Sequence, residues 1–410
     1  MNTKQPLDGV RIVDLTHEWA GPHAARIMAD FGAEVIKVEY FRRMDVMRGH
    51  LAREEGFNSS IRFRQLARGK RSMILDLHDS RDKRVFADLV SHSDAVISNS
   101  RPGVLARLGF DYPQLKAIRE DIILISLSSN GATGPEASYA GYGGGIEATS
   151  GLQSLTAYDA DSEPRRIREM DVTNGIVAAA SLMTALLRRQ RQGVGSWIDL
   201  SEIEACTHAL AGEHLLAFAT NAGNVAPRGN RHPDKAPHGC YRCSGEDEWV
   251  VISIDSDAAW KSWCETAGLP GLATDERLAS LEGRRAHHDE LDRLIGQWTK
   301  DLDKVEVMTR LQAAGVIAGP VMSVHDLRGD RHLEARGFFI PSSRGSSDPV
   351  FPGVPFRLAP GVHECRPGPK LGEANHDVTV NLLGRPDSDV RHVDDEAVGT
   401  DFDVDQMRLA

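Results

Sequence analysis

The fold is decided by residues 10–39, which read VRIVDLTHEWAGPHAARIMADFGAEVIKVE. An apolar run at Val10–Leu15 ends in a polar turn. A helical pattern of apolar residues then continues to Gly32, the residue type that commonly follows the end of a helix. A second apolar run, Glu34–Glu39, starts soon after that glycine. The order strand, helix, strand predicts two neighbouring parallel strands joined by a helix.

The same order continues through the first third of the chain. Further strands are predicted at 72–77, 94–99 and 122–127, with a helix near 80–91. We therefore predict an α/β protein with a Rossmann-like large domain, in which helices cover both faces of a mostly parallel sheet. Ligands of such sheets bind at the carboxyl ends of the strands, so the functional turns should follow Leu15, Val38, Leu77 and Ile97.

The rest of the chain suggests a second, smaller unit. A long helix is predicted at 172–192, with Ile176, Ala180, Met183 and Leu187 on its buried face. A strand at 197–200 and a helix at 201–220 follow. The predicted organisation is a large domain at 1–220, a linker at 221–239, a small α+β domain at 240–329, a return linker that completes the large domain at 330–385, and an acidic tail at 386–410.

Composition excludes several classes of function. The 410 residues are 41% hydrophobic, so the chain can bury a sizeable core, and the net charge of −11 argues against non-specific binding of nucleic acid. No run reaches the roughly 18–20 consecutive apolar residues of a membrane span, and the N-terminus lacks the layout of a signal peptide. Five cysteines are too few for a disulfide framework. We expect a soluble cytoplasmic protein.

The sequence lacks the common motifs of proteins that bind a nucleotide cofactor. The turn after the first strand has no G-x-G-x-x-G fingerprint, and the chain contains neither a P-loop nor a G-x-S-x-G elbow. Cys240 and Cys243 have the spacing of half a zinc site, but the neighbouring histidines are badly placed, and two cysteines flanking a strand turn is the simpler interpretation. We expect no metal.

Two groups of charged residues have both an ordinary and a functional interpretation. Lys70, Arg71, Arg101 and Arg107 should lie near strand ends, either as solvated surface residues or as cations for a phosphate-bearing ligand. Asp171 lies where the long helix begins and is, in the simplest interpretation, a cap or a partner of the helix dipole.

An ordered set of motifs resembles the family III CoA-transferases, the superfamily of formyl-CoA transferase and carnitine CoA-transferase. The set spans residues 6 to about 384 and comprises Pro6–Asp14, Ala20-Gly21-Pro22, Gly32–Glu39, Lys70-Arg71-Ser72, Arg101-Pro102-Gly103, Gly131-x-x-Gly134-Pro135, Gly229–Pro233, Ala314-Gly315-Val316, Gly319-Pro320-Val321 and Leu371-Gly372-Glu373. The resemblance implies transfer of coenzyme A (CoA) between carboxylic acids, with acyl-CoA as a substrate and no permanently bound cofactor. It also implies that Asp171 is the nucleophile, through an aspartyl anhydride and an aspartyl-CoA thioester.

The resemblance also implies a set of residues around CoA. These are Trp19 and Ala20 at the entrance, Leu75, Asp76 and His78 beside the adenine, Asn99, Ser100, Arg101 and Arg107 around the pantetheine and phosphates, and Tyr139 and Tyr142 toward the thioester. Trp19, Tyr40 and Ser100 depart from the formyl/oxalate-type pattern, in which a glutamine, an arginine and an aromatic residue stand at these places. Arg42 or Arg43 could supply the missing charge. These departures argue against oxalate or formate as substrate.

Alternatives to a homomeric transferase remain open. The related α-methylacyl-CoA racemases pair the aspartate with a histidine, whose position is Tyr142 here, and tyrosine is a poor proton carrier at neutral pH. A CoA-binding subunit of a heteromeric transferase is the other alternative. The resemblance itself implies an interlocked homodimer.

Overall fold

The computed structural model describes residues 5–48, 56–209, 213–223, 225–341, 350–357 and 366–392. Within these residues the chain divides into two compact units. Unit 1 comprises residues 1–153, 166–222 and 336–410, and unit 2 comprises residues 154–165 and 223–335. Most of the predicted acidic tail, from residue 393 onward, lies outside the described residues.

Unit 1 is built on a six-stranded parallel sheet. Its strands are β1 (Arg11–Asp14), β2 (Glu34–Glu39), β3 (Arg71–Ile74), β4 (Ala95–Ser98), β5 (Ile123–Ser128) and β6 (Ser196–Ser201). They lie in the order β3-β2-β1-β4-β5-β6. Every neighbouring pair is parallel, for example Val13 beside Ile36 on one side and Val96 on the other. The predicted α/β architecture is therefore confirmed.

Helices cover both faces of this sheet. The helices of unit 1 are α1 (Ala20–Asp30), α2 (Ile61–Leu66), α3 (Ser80–Ser91), α4 (Val104–Leu108), α5 (Tyr112–Ile118), α6 (Gly143–Thr149), α7 (Met170–Gln192), α8 (Glu202–His208) and α9 (Glu213–Thr220). One core contains Val85, Phe86 and Leu89 of α3, and the core on the opposite face contains Ala24 and Met28 of α1. The helix predicted at 201–220 is present as two helices, α8 and α9.

Helix α7 buries a different face from the predicted one. Gly175, Ala178, Ala179, Leu182 and Ala185 are buried, whereas Ile176, Ala180 and Leu187 are exposed. The physical reason is close packing against α1, because a Cβ atom on Gly175 would lie 2.8 Å from the carbonyl oxygen of Ala20. Small residues are therefore required on the buried side. By length and composition α7 is also apolar enough to cross a membrane, and 39% of its most apolar window is buried inside the protein.

Unit 2 is a smaller α+β unit. Its antiparallel sheet contains β7 (His238–Arg242), β8 (Trp249–Ser253) and β9 (Ile317–Pro320). Its helices are α10 (Asp257–Thr266), α11 (Pro270–Ala273), α12 (Leu281–Ala286), α13 (His288–Thr299), α14 (Lys304–Ala313), α15 (Val324–Arg328) and α16 (Arg331–Ala335). Its core is centred on the stacked rings of Trp260 and Trp263.

The chain returns to unit 1 after α16. A short antiparallel pair, β10 (Phe339–Pro341) and β11 (Val350–Pro352), precedes a π-helical segment at Asp377–Leu382. Asn375 accepts a hydrogen bond from the backbone N–H of Ile74 at 2.8 Å, which attaches this returning segment to β3.

Candidate active site

The site lies at the carboxyl edge of the parallel sheet. Chain order runs outward from β1 to β2 and β3 on one side and from β4 to β5 and β6 on the other. The sheet therefore has its topological switch point between β1 and β4, where the loops diverge and leave a crevice. The loops after these two strands are 15–19 and 99–103.

A reciprocal pair of hydrogen bonds joins the two loops. The backbone N–H of His17 donates to Asn99 Oδ1 at 2.8 Å, and Asn99 Nδ2 donates to the carbonyl oxygen of His17 at 2.7 Å. Gly21 packs beneath them, where a Cβ atom would lie 2.5 Å from Thr16 Cγ2 and 3.2 Å from Asn99 Cγ. The glycine of the Ala20-Gly21-Pro22 motif is therefore needed because α1 approaches both loops closely.

A buried ion pair supports the loop after β1. Lys70 Nζ lies 2.7 Å from Asp14 Oδ2, and neither side chain is accessible to solvent. Burial alone would raise the pKa of Asp14, but Lys70 and Lys37 hold it below its ordinary value. Both interpretations of Lys70 are wrong, because its side chain is neither solvated nor available to a ligand and its charge is paired inside the protein. Arg71 is paired as well, with Glu34 and Asp377.

Glu18 is a site residue that the sequence did not indicate. It has a left-handed backbone conformation with φ of 69°, which is uncommon for a residue other than glycine. Its backbone N–H donates to Asp45 Oδ1 at 3.2 Å, and Asp45 itself is paired with Lys37. Burial, Asp45 and Asp171 all raise the pKa of the Glu18 carboxyl. Glu18 and Asp171 therefore lie close enough to interact electrostatically.

Asp171 lies in the first turn of α7, at the end of the helix that faces the carboxyl edge of the sheet. Its side chain is half-buried and, among the described residues, has no hydrogen bond or ion pair. Burial raises the pKa of Asp171, Arg166 lowers it and Glu147 raises it further. A Cβ atom on Gly143 would lie 3.1 Å from Asp171 Oδ2, so the first residue of α6 directly borders the carboxylate.

Arg166 is the cation that acts on Asp171. Its Nε lies 3.4 Å from Glu147 Oε2, and a Cβ atom on Gly144 would lie 2.8 Å from its guanidinium carbon. Glu147 also accepts a hydrogen bond from the backbone N–H of Arg168 at 2.7 Å, where the chain has a φ of 64°. The loop before α7 is thus fixed to α6, and the paired glycines make room for the arginine.

The inner wall beside Asp171 is formed by α8. Glu202 is 8% exposed, and burial together with Asp171 raises its pKa to about 7. One turn further along α8, burial raises the pKa of the Cys206 thiol to about 11, and its sulfur contacts Asn174. Near neutral pH, α8 therefore presents the Glu202 carboxyl group, which is protonated in part, and the Cys206 thiol, which is protonated.

The residues predicted to surround CoA occupy loops at this same edge. Trp19 caps α1, and Ala20 begins it and is buried. Leu75 packs into the core, so Asp76 and the exposed His78 are the side chains that the loop after β3 presents. The His78 ring lies 6.5 Å from that of Tyr40, which follows β2.

The remaining predicted residues follow β4 and β5. Asn99 and Ser100 are half-buried, whereas Arg101 and Arg107 are exposed. The Arg107 guanidinium folds back toward Gly103. Tyr139 and Tyr142 are also exposed, and Tyr142 precedes the first residue of α6. The structure places these side chains on the loops that follow the carboxyl ends of the strands.

This chain belongs to CoA-transferase family III, whose family model matches residues 7–375. It is thus a transferase. It is 30% identical to the succinate–glutarate CoA-transferase of Agrobacterium fabrum, over 93% of this chain and 96% of that protein. It is 32% identical to the succinyl-CoA–D-citramalate CoA-transferase of Chloroflexus aurantiacus, over 94% of this chain and 96% of that protein.

Two further comparisons concern length and structure. A probable CoA-transferase of Mycobacterium tuberculosis, Rv1866, is 34% identical over 96% of this chain, but the chain spans only half the length of that protein. A crystal structure of a CaiB/BaiF family protein from Brucella suis superimposes with a TM-score of 0.84 at 31% identity, over 93% of this chain and all of that one. The recognition of the family from its ordered motifs is confirmed.

Proposed function

We propose that this enzyme moves CoA from an acyl-CoA donor to a carboxylic acid acceptor by covalent catalysis on Asp171. The carboxylate attacks the thioester carbonyl, the carbon–sulfur bond breaks, and CoA thiolate leaves an aspartyl–acyl anhydride. The thiolate then attacks the aspartyl carbon, which releases the donor acid and forms an aspartyl-CoA thioester. The acceptor carboxylate repeats the sequence in reverse, which regenerates Asp171 and requires no net proton transfer.

The environment of Asp171 carries this proposal. A nucleophilic carboxylate must be accessible and must not be engaged in a strong pair, and Asp171 is half-buried without a hydrogen-bond partner among the described side chains. The N-terminus of α7 and Arg166 favour its ionised form, while burial raises its pKa and so increases its basicity. Asp14, by contrast, is paired with Lys70, and neither side chain is accessible to solvent.

CoA is proposed to lie along the loops after β1, β2, β3 and β4, with Trp19, Asp76, His78 and Arg101 among its contacts. The exposed Arg107 and Arg101 are suited to phosphate groups because a guanidinium group donates two parallel hydrogen bonds. Arg42 follows β2, and its guanidinium lies 5.5 Å from the Phe41 ring centroid at the same edge.

The transferred acids are proposed to be short dicarboxylic acids. The names of two relatives with more than 90% mutual coverage include succinate, glutarate and D-citramalate, all acids with two carboxylates. A racemase is less favoured, because Tyr142 stands where the histidine would be and is 69% exposed, a poor position for removing a proton from a desolvated carbon.

The enzyme is further proposed to act as an interlocked homodimer in the cytoplasm. The outer faces of α7 and α9 are apolar and exposed, with Ile176 53% and Phe218 86% accessible in the single chain. Apolar surface of this kind is typical of subunit interfaces. A heteromer remains the alternative, since the relatives include an alpha subunit and a beta subunit of a succinyl-CoA–L-malate CoA-transferase.

Substitution and trapping of Asp171 test the covalent mechanism. Asp171→Ala should lower kcat by at least about a thousandfold, because the nucleophile itself is removed. The matched control is Glu169→Gln, which removes a charge at the same helix end from an exposed side chain that makes no capping hydrogen bond. Glu169→Gln should retain activity within about threefold if it touches no reacting atom.

Hydroxylamine provides the second readout. During turnover with an acyl-CoA it should inactivate the wild-type enzyme by converting Asp171 to a hydroxamate, visible in the mass of the peptide that contains it. Retained activity in Asp171→Ala, or an unmodified peptide after inactivation, would refute the covalent mechanism on this residue.

A further inference from the structure

A cationic cavity in unit 2 is separate from the residues assigned to catalysis. It has a volume of about 280 Å³, and its charged and polar lining comprises Arg228, Arg231, His232, Arg285, His288 and Asp289. The lining thus contains three guanidinium groups and one carboxylate, in a chain whose net charge is −11. A local excess of positive charge in a concave surface concentrates anions.

Arg231 is held in place by two carboxylates. It lies 2.6 Å from Asp289 and 2.8 Å from Asp292, and Asp292 also accepts a hydrogen bond of 2.8 Å from the hydroxyl of Tyr241. Tyr241 belongs to β7 and is buried in the core of unit 2. Because a guanidinium has five N–H donors, two carboxylate contacts orient Arg231 and leave other donors for a ligand.

Arg228, Arg285 and two imidazoles complete the polar lining. The side chain of Arg285, near the end of α12, is exposed and makes no hydrogen bond or ion pair with the described part of the chain. His232 Nδ1 accepts a hydrogen bond of 3.0 Å from the backbone N–H of Asp234, which places its proton on Nε2 as a further donor. His288 Nε2 accepts from the backbone N–H of His238, so this buried imidazole forms the rear wall.

We propose that this cavity binds a small oxyanion, either the carboxylate of an organic acid or a phosphate group. Guanidinium groups recognise both through paired hydrogen bonds, and the volume suits a small acid or one phosphate group rather than a macromolecular segment. The inference goes beyond the proposed function and does not depend on Asp171, because every residue that carries it belongs to unit 2.

Calorimetric titration of the full-length protein with succinate, and separately with inorganic phosphate, tests the proposal. Arg285→Gln should weaken binding about tenfold or more, since it removes a charged donor. The matched control, Arg277→Gln, removes an arginine of the same unit that is already paired with Asp275 and should change affinity less than about twofold. Binding of succinate alone identifies an organic acid as the ligand class, and binding of phosphate alone identifies a phosphate ester.

The same titrations on Asp171→Ala separate this site from catalysis. If the cavity is an independent site, Asp171→Ala binds the anion as tightly as the wild type even though transfer is lost. Absence of binding at millimolar anion, or equal affinity in wild type, Arg285→Gln and Arg277→Gln, would overturn the oxyanion site without affecting the covalent mechanism.

Discussion

The carboxyl group of Glu202 should make the stability of unit 1 depend on pH. It is almost completely buried beside Asp171, and its pKa rises from 4.5 to about 7. The folded state therefore holds its proton more tightly than the unfolded chain does. Between these two pKa values only the folded state is protonated, so stability falls as pH rises and the loss is complete above about pH 8.

The magnitude follows from the shift. The rise in the pKa of Glu202 from 4.5 to about 7 corresponds to about 3 kcal/mol, of which about 2.5 kcal/mol develops between about pH 5 and about pH 8.5. Glu202→Gln replaces the carboxyl with a neutral group of nearly the same shape and should remove this dependence. The variant should gain about 2.5 kcal/mol over the wild type across that range, or about 4 °C in Tm for a unit of this size.

Denaturation midpoints of both proteins, measured across that pH range, provide the assay. The control is Glu204→Gln, which changes an exposed carboxylate in the same turn of α8. Its difference from the wild type should not vary with pH. If the stability difference between Glu202→Gln and the wild type is also constant across the range, the buried carboxyl does not titrate there and the reasoning is refuted.

Three further predictions concern groups that shape the site. Gly143→Ala should lower kcat about tenfold to a hundredfold, because the added Cβ would lie 3.1 Å from Asp171 Oδ2. Steady-state kinetics would measure the loss, and an unchanged Tm would show that the variant is folded. An unchanged kcat would contradict the close contact. Asn99→Ala should cost about 1–3 kcal/mol of unfolding free energy and raise KM for acyl-CoA, with Asn99→Asp between it and the wild type, because Asp restores only the acceptor. Lys70→Met should lower the free energy of unfolding by about 3–5 kcal/mol, since Asp14 would remain buried without its paired lysine. Urea denaturation would measure this, and a loss below about 1 kcal/mol would show that the ion pair is not buried as described.

Strands and helices with a clear apolar period could be predicted from the sequence. The strand at Glu34–Glu39 and the helix at Ser80–Ser91 were predicted with their observed bounds, because each has an unambiguous pattern and a clear boundary residue. The buried face of α7 was predicted wrongly. Large apolar residues lie in the core only where the neighbouring element leaves room for them. The close contact between Gly175 and Ala20 shows that α1 leaves no such room beside α7.

The site was only partly predictable, because its electrostatics depend on residues far apart in sequence. Asp171 was identified only through the family resemblance, and its role as the nucleophile stays a prediction; the structure places it in the first turn of α7. The pairing of Lys70 with Asp14 joins positions 56 residues apart and has no local signal. Glu18, Arg166 and Glu202 were missed for the same reason, since each becomes significant only when helix ends and loops meet.

The contact at Gly175 has a consequence for attempts to change which acids the enzyme accepts. Gly175 lies one turn beyond Asp171 and touches Ala20 at the start of α1, directly after the loop of the crevice. Chimaeras that exchange this loop for that of a relative would shift the start of α1, and Asp171 would move with it. A chimaera should therefore take α1 and the first two turns of α7 from the same parent protein.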